Sequence, residues 1–179
     1  MDNNIIIRQA NISDLDALIS ISLQTYHETF FEAFDNEEQY QKYVSETFSV
    51  DRLSFELSDP DSLICFAQLQ GKIVGYYKLN FSSSQSIFQG TKAAEVQNIY
   101  VLANYQGKQI GKLLLEHAIA VAKTCEVNYL WLAVWENNHK AIKFYEGNGM
   151  FKFDKYNYYI SGELQKDLLM RIEIKNIPR

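Results

Sequence analysis

Proline and cysteine are scarce here, with two of each in 179 residues, while 47% of the residues are hydrophobic. A chain so apolar and so little interrupted reads as globular and soluble rather than disordered. Two thiols make no disulfide framework, and they fit a reducing cytoplasm, the expected location. Cys65 lies inside the apolar run Leu63-Ile64-Cys65-Phe66-Ala67, where an inert buried thiol is expected, and Cys125 falls between a helical pattern and a strand. The three histidines, His27, His117 and His139, have no ligand-type spacing to one another or to a cysteine, so no metal is expected. No apolar run approaches the ~20 residues that cross a bilayer. The opening Met1–Asn4 is polar and not basic, unlike a secretory leader. Positive charge is also short: the formal net charge of -5 argues against a nucleic-acid partner, which needs a basic face. It is compatible with a cationic substrate, although acidity for solubility alone is common.

The length fits one domain, 1–179, with a sizeable core. Ile5 to Ala10 is a short β-rich opening, and Ser13 or Asp14 can cap a helix whose apolar positions are Leu15, Leu18, Ile19 and Leu23. After the aromatic, acidic stretch Tyr26–Glu32, a second helical region is expected from Glu37 to Leu57, stopped before Asp59-Pro60. Ser62–Leu69 and Lys72–Phe81, joined by Gln70-Gly71, carry a hairpin signal. Ser82–Ala93 is serine-rich and lacks periodicity, so an exposed loop is expected. The second half is more orderly. Strand Glu95–Val101, amphipathic helix Ile110–Lys123 and the continuously apolar strand Tyr129–Val134 make a right-handed βαβ unit. A short helix, Asn138–Glu146, stops at Gly147 and Gly149, and strands Phe151–Ile160 and Leu168–Ile174 follow. The expected class is α/β, an α+β mixed sheet with helices on both faces.

The most informative stretch is Val96–Lys112, where a strand ends, a glycine-containing loop turns and a long helix begins. The orphan N–H groups of a first helical turn converge on one spot, and the helix dipole makes it positive. Gly107 and Gly111 let backbone approach a ligand, and Lys108 and Lys112 add charge, which together suit a pyrophosphate. The spacing is neither GxxxxGK[ST] nor GxGxxG, so triphosphate-loop and dinucleotide readings have no support.

This stretch resembles motif A of the GCN5-related N-acetyltransferase superfamily, Gln/Arg-x-x-Gly-x-Gly/Ala, with Gln106 at the first position and Gly111 at the last. Gln109 departs at the middle glycine; because the motif works through backbone amides, Gln109 can supply one if its φ is negative. Asn138-His139-Lys140-Ala141-Ile142-Lys143-Phe144-Tyr145 is similar to the superfamily's Asn-x-x-Ala-x-x-Phe-Tyr, with Gly149-Met150 where Gly-Phe is usual, and Ile7-Arg8-Gln9-Ala10 followed by Asp14 resembles its opening. A narrower likeness, through Leu130–Asn138 and Thr25–Phe30, is to Pai-type bacterial spermidine/spermine acetyltransferases.

The resemblance implies about seven strands with the two central parallel strands splayed, and acetyl-CoA as co-substrate. It places the thioester arm on the backbone of Ile99, Tyr100 and Val101 and the pyrophosphate on the amides of Gly107, Lys108, Gln109, Ile110, Gly111 and Lys112, after Gln106. Asn138 would reach the pantetheine arm or cap its own helix. Tyr145 would give a proton to the departing thiolate: a phenol of pKa ~10 can serve a thiol of ~8.5 in a dry site. An alkyl amine is only about 0.1% neutral at pH 7, a penalty of ~4 kcal/mol, so a base is wanted. The superfamily's glutamate position falls on Gln97, which accepts no proton usefully; Glu95 lies on the same strand face, two residues earlier. Glu28 and Glu136 read better as attracting a cationic acceptor, with Trp135 beside them. The implied function is acetylation of a small amine, a polyamine such as spermidine or spermine, by direct attack on the thioester. A protein or peptide amine, or a CoA-binding sensor without turnover, is the alternative, and both monomer and homodimer remain open.

Overall fold

The computed structural model describes residues 4–34, 36–160 and 163–174. Among the described residues, α-helices and strands follow in the order β1 (Ile5–Gln9), α1 (Leu15–Phe30), α2 (Glu37–Thr47), α3 (Val50–Ser58), β2 (Ser62–Leu69), β3 (Lys72–Phe81), β4 (Ala93–Val101), α4 (Ile110–Thr124), β5 (Tyr129–Trp135), α5 (His139–Gly147), β6 (Phe151–Ile160) and β7 (Glu163–Glu173). The strands form one sheet ordered β1-β2-β3-β4-β5-β7-β6. It is mixed: β1 runs antiparallel to β2, β4 parallel to β5, and β7 antiparallel to both β5 and β6. The βαβ expectation holds in type and direction.

The hairpin between β2 and β3 turns on Gln70 and Gly71 at φ 52° and 78°, the two positive values that a tight two-residue connection requires. Asp14 stands at the N-cap position of α1 but makes no side-chain cap bond to it; the side-chain cap belongs to Asn11, which opens the 3-10 turn before it. Its Oδ1 accepts the Ser13 amide at 2.9 Å, while Asp14 accepts the Asn11 amide at 3.0 Å and both guanidinium nitrogens of Arg8 at 2.8 and 2.7 Å. Asp14 is therefore already engaged, and a short 3-10 turn, Ile12–Asp14, precedes α1. The single helix expected over Glu37–Leu57 is two helices, because Ser49 adopts an extended conformation and its hydroxyl accepts the Arg52 amide, starting α3 afresh. β7 begins at Glu163, five residues before the strand the sequence suggests, and pairs along β6 as far as Ile160.

The chain divides into two compact units, Met1–Leu79 with Asn98–His117, and Asn80–Gln97 with Ala118–Arg179. The first has its core among Leu18 and Ile21 of α1, Tyr40 and Val44 of α2, Leu53 of α3, Phe66 of β2 and Tyr76 of β3. In the second, Ala93, Trp131 and Leu169 are buried against Ile87, Tyr129, Ala133 and Phe153. Within that unit β4 and β5 pair through Ala93–Glu95 and Tyr129–Trp131. β5 continues to Trp135, paired throughout with β7.

Candidate active site

In the first unit the segment expected to hold the cofactor is built from the end of β4 onward. Ile99, Tyr100 and Val101 are half-buried. They pass close to β3 at Gly75, where a Cβ would lie 2.6 Å from the Tyr100 carbonyl oxygen and 3.3 Å from the Val101 Cα. Glycine is required there because the obstruction is backbone, which cannot move aside as a side chain can. Leu102 donates its amide to the Val74 carbonyl at 3.0 Å, and a 3-10 turn, Ala103–Tyr105, follows. Gln106, the first residue of the motif, folds back so that its Nε2 donates to the Val101 carbonyl at 3.0 Å. The turn then passes Gly107 at φ 76° and Gln109 at φ 63° before α4 begins at buried Ile110.

The condition placed on Gln109 is not met, since its φ is positive. The backbone there takes the left-handed conformation that glycine adopts without strain, and a glutamine adopts it at a cost of about 1–2 kcal/mol. Its carbonyl nevertheless accepts the Leu113 amide at 3.0 Å, the first bond of the helix. Positive charge collects on this segment. The Lys108 ammonium lies 4.9 Å from the centroid of Tyr105 and that of Lys72, a residue the sequence did not single out, 5.6 Å from the same ring. Lys112 is exposed, 3.8 Å from Glu116.

Glu28 also belongs to this segment. Its Oε2 accepts the Ala103 amide at 2.8 Å, and its Oε1 accepts Gln24 Nε2 at 3.0 Å. The carboxylate therefore caps the 3-10 turn that leads into the motif, a contact between residues 75 positions apart that no sequence pattern announces.

In the second unit Glu95 is buried, 2% exposed, and surrounded by donors. It accepts the Ser86 amide at 2.6 Å, the Ser86 hydroxyl through a short bond, and Asn80 Nδ2 at 3.3 Å. Asn80 also donates to Gln97 Oε1 at 3.1 Å. The Ser82–Ala93 segment is largely exposed or half-buried, as expected, but it is pinned inward at Gln85 and through the Ser86 bonds to Glu95. Gln85 is buried, donates to the Ser82 and Gly90 carbonyls, and accepts the Trp131 indole N–H at 2.8 Å. A carboxylate whose oxygens are so occupied by donors has little left to offer an incoming amine. Glu95 anchors a loop.

Asn138 caps α5, accepting the Ala141 amide at 3.1 Å. Tyr145 on α5 is buried, and burial pushes its hydroxyl above the usual phenol range. Trp135 ends β5 half-buried, its indole N–H on Gln165 Oε1 at 3.0 Å. Glu136, half-buried, donates its amide to the Lys166 carbonyl at 2.9 Å. Among the described residues no group of three or more His, Cys, Asp or Glu is placed to hold a metal ion, and no helix is long and apolar enough to cross a membrane.

A strand, a turn with two left-handed residues and a helix start, then an Asn-capped helix carrying a buried tyrosine, follow one another as the acetyltransferase resemblance implies. The chain belongs to the acetyltransferase (GNAT) family, whose model matches residues 20–150. It is an N-acetyltransferase. It is 31% identical over 164 residues to an "uncharacterized N-acetyltransferase" of Lactobacillus delbrueckii subsp. lactis, covering 91% of this chain and 94% of that one. It is 27% identical over 147 residues to the spermidine N(1)-acetyltransferase of Thermoplasma acidophilum, covering 80% and 86%. Among solved structures, the PaiA N-acetyltransferase of Thermoplasma acidophilum in complex with coenzyme A is similar with a TM-score of 0.77 and 25% identity, over 95% of this chain and 99% of that one.

Proposed function

We propose that this chain transfers the acetyl group of acetyl-CoA to an amine of a small polyamine such as spermidine or spermine, by direct attack of the amine on the thioester. The cofactor half rests on one observation, the turn from Gln106 to Gln109 that opens α4 with two residues at positive φ. Such a turn offers consecutive backbone amides at a helix start, and Lys72, Lys108 and Lys112 add charge, so the residues present fit a pyrophosphate. Ile99, Tyr100 and Val101 would carry the thioester arm, with the Val101 carbonyl shared with Gln106. The likeness to a PaiA enzyme solved with coenzyme A supports this assignment. For the acceptor, the support is the relative that acetylates spermidine.

Tyr145 is the proton donor of this reading. Its raised pKa keeps the hydroxyl protonated at neutral pH. Complete transfer to a thiolate is then uphill, so the hydroxyl acts chiefly as a hydrogen-bond donor to the developing negative charge. The amine loses its proton to water or to a carboxylate acting through water; among the described residues Glu136 makes no side-chain hydrogen bond or ion pair, whereas Glu95 and Glu28 are engaged. The whole chain works as one catalytic domain, because the passages between its two units fall inside β3, β4 and α4, and neither unit can be removed without cutting an element. Two free cysteines suit a reducing cytoplasm.

The test is a screen of amines and peptides with acetyl-CoA, read by thiol release. Release with spermidine and spermine is expected. Release with peptides alone transfers the acceptor to a protein amine, and no release with any acceptor makes this a binding module.

A further inference from the structure

A cationic acceptor needs a carboxylate, and Glu28 and Glu95 are both bound to backbone amides. In the second unit, Asp167 is placed differently. It lies on β7 directly opposite Trp135 of β5 and directly opposite Tyr156 of β6. Residues paired in this way share one sheet face, with Cβ atoms about 4.5–5.5 Å apart. Tyr158, two residues along β6, is on the same face, and its hydroxyl donates to Asp167 Oδ1 at 3.2 Å. The Tyr156 and Tyr158 rings stack with centroids 6.0 Å apart and an interplanar angle of 19°. Gln165 fixes the Trp135 indole.

Among the described residues, no lysine or arginine nitrogen lies within ion-pair distance of this carboxylate. The neighbouring Lys166 alternates to the other face. Burial raises the Asp167 carboxyl above the usual range, against the pull of the Tyr158 donor. A half-buried carboxylate with aromatic neighbours and no cation of its own is a cost to the fold, and such groups concentrate at functional sites.

We propose that Asp167, flanked by Trp135, Tyr156 and Tyr158, binds an ammonium group of the acceptor, holding a charged nitrogen other than the one acetylated. This rests on the polyamine reading above. The reacting nitrogen has to be neutral, whereas a second amine keeps its proton, and an alkylammonium is the ligand that both a carboxylate and aromatic faces attract. A single carboxylate is too few oxygens for a hard divalent cation. Tyr156 is 43% exposed, so the cluster opens to solvent on the β6 side.

The experiment compares spermidine with butylamine, which has no second nitrogen, in wild type and in Asp167→Asn. Asparagine keeps the shape and an oxygen for the Tyr158 hydroxyl, and removes the charge. The expected result at low salt is a spermidine KM raised about tenfold, the ratio that a desolvated charge contact commonly carries, with kcat and the butylamine KM little changed. The spermidine KM of the wild type should rise with salt, and that of Asp167→Asn should hardly respond. The variant should melt no lower than the wild type. If it melts lower, Tyr156→Leu, a change at an exposed edge position, decides: a raised spermidine KM with an unaltered butylamine KM supports the site, and no change refutes it. Unaltered spermidine kinetics in a folded Asp167→Asn, or equal losses for both amines, overturn the proposal and leave the polyamine reading standing. Wild type that releases no thiol with any polyamine ends both.

Discussion

Replacing Glu28 by alanine should weaken coenzyme A binding, although the residue stands far from the motif in sequence. The Glu28 carboxylate accepts the Ala103 amide at 2.8 Å, and Ala103 opens the turn in which Tyr105 bonds back to Leu102 and Gln106 back to Ala103. Gln106 in turn leads to the two left-handed residues that present the amides before α4. A hydrogen bond to a charged acceptor is worth about 1.5–3 kcal/mol net when sheltered; this one is exposed, so about 1 kcal/mol is realistic, or roughly fivefold in Kd. Glu28→Gln retains an oxygen for Ala103 and should stay within about twofold of wild type. Calorimetric titration with coenzyme A, with melting temperatures as the control for folding, measures both. If Glu28 instead serves to attract a cationic acceptor, alanine and glutamine should be equally damaging to the acceptor KM and both should leave the coenzyme A Kd untouched. That pattern would refute the positioning role.

Four further outcomes are expected. Gly75→Ala should cost about 1–3 kcal/mol in denaturant stability and weaken coenzyme A binding, because the new methyl meets the Tyr100 carbonyl and must displace β4. Gln109→Gly should leave coenzyme A affinity unchanged and raise stability by up to about 1 kcal/mol, since relief of left-handed strain outweighs glycine's greater unfolded freedom; a lower urea midpoint would contradict this. Tyr145→Phe should cut turnover about a hundredfold, the low end for losing one hydrogen-bond donor to developing negative charge, with acetyl-CoA affinity and melting temperature little altered; unchanged turnover in the folded variant would strip the tyrosine of its role. The Arg8 guanidinium, by hydrogen bonding, holds Asp14 below the usual carboxylate range, so the pair's stabilisation is present above the unfolded value of about 3.9 and is lost as pH falls through the lower folded one. Because the pair is partly exposed the loss is at most about 1 kcal/mol, and Asp14→Asn should flatten that stretch of the stability–pH curve.

The elements that could be read from sequence are those whose signals are local. Gln70-Gly71 between two β-rich runs gives the hairpin, and the length between Val101 and Tyr129 gives a helical crossover and hence a parallel pair. The split between α2 and α3 escapes the same reading, because both sides favour helix and the break depends on one hydroxyl, that of Ser49, reaching the Arg52 amide. Ser82–Ala93 misleads for a related reason. Its polar side chains look solvated, yet Gln85 and Ser86 face a buried indole and a buried carboxylate. Composition does not distinguish a polar group bonded to water from one bonded to a partner distant in sequence.

The same distinction separates the turn before α4 from the carboxylates weighed for the acceptor. The turn before α4 is made of backbone, and it holds a left-handed residue at Gln109, φ 63°, even though the side chain there is not glycine. The acceptor side is made of carboxylates, and what a carboxylate does is decided by what reaches it. Glu28 is met by the amide of Ala103, and Glu95 by Ser86 and Asn80, so neither is left to hold an amine. Asp167 carried a weaker signal than either: alternation along β7 places it on the same face as Leu169, an acidic residue in an apolar position, beside a strand that alternates Tyr156 and Tyr158 on the facing side. The proposal for Asp167 thus rests on an out-of-place charge rather than an exposed one, because a carboxylate among apolar and aromatic neighbours costs the fold something that a solvated carboxylate does not.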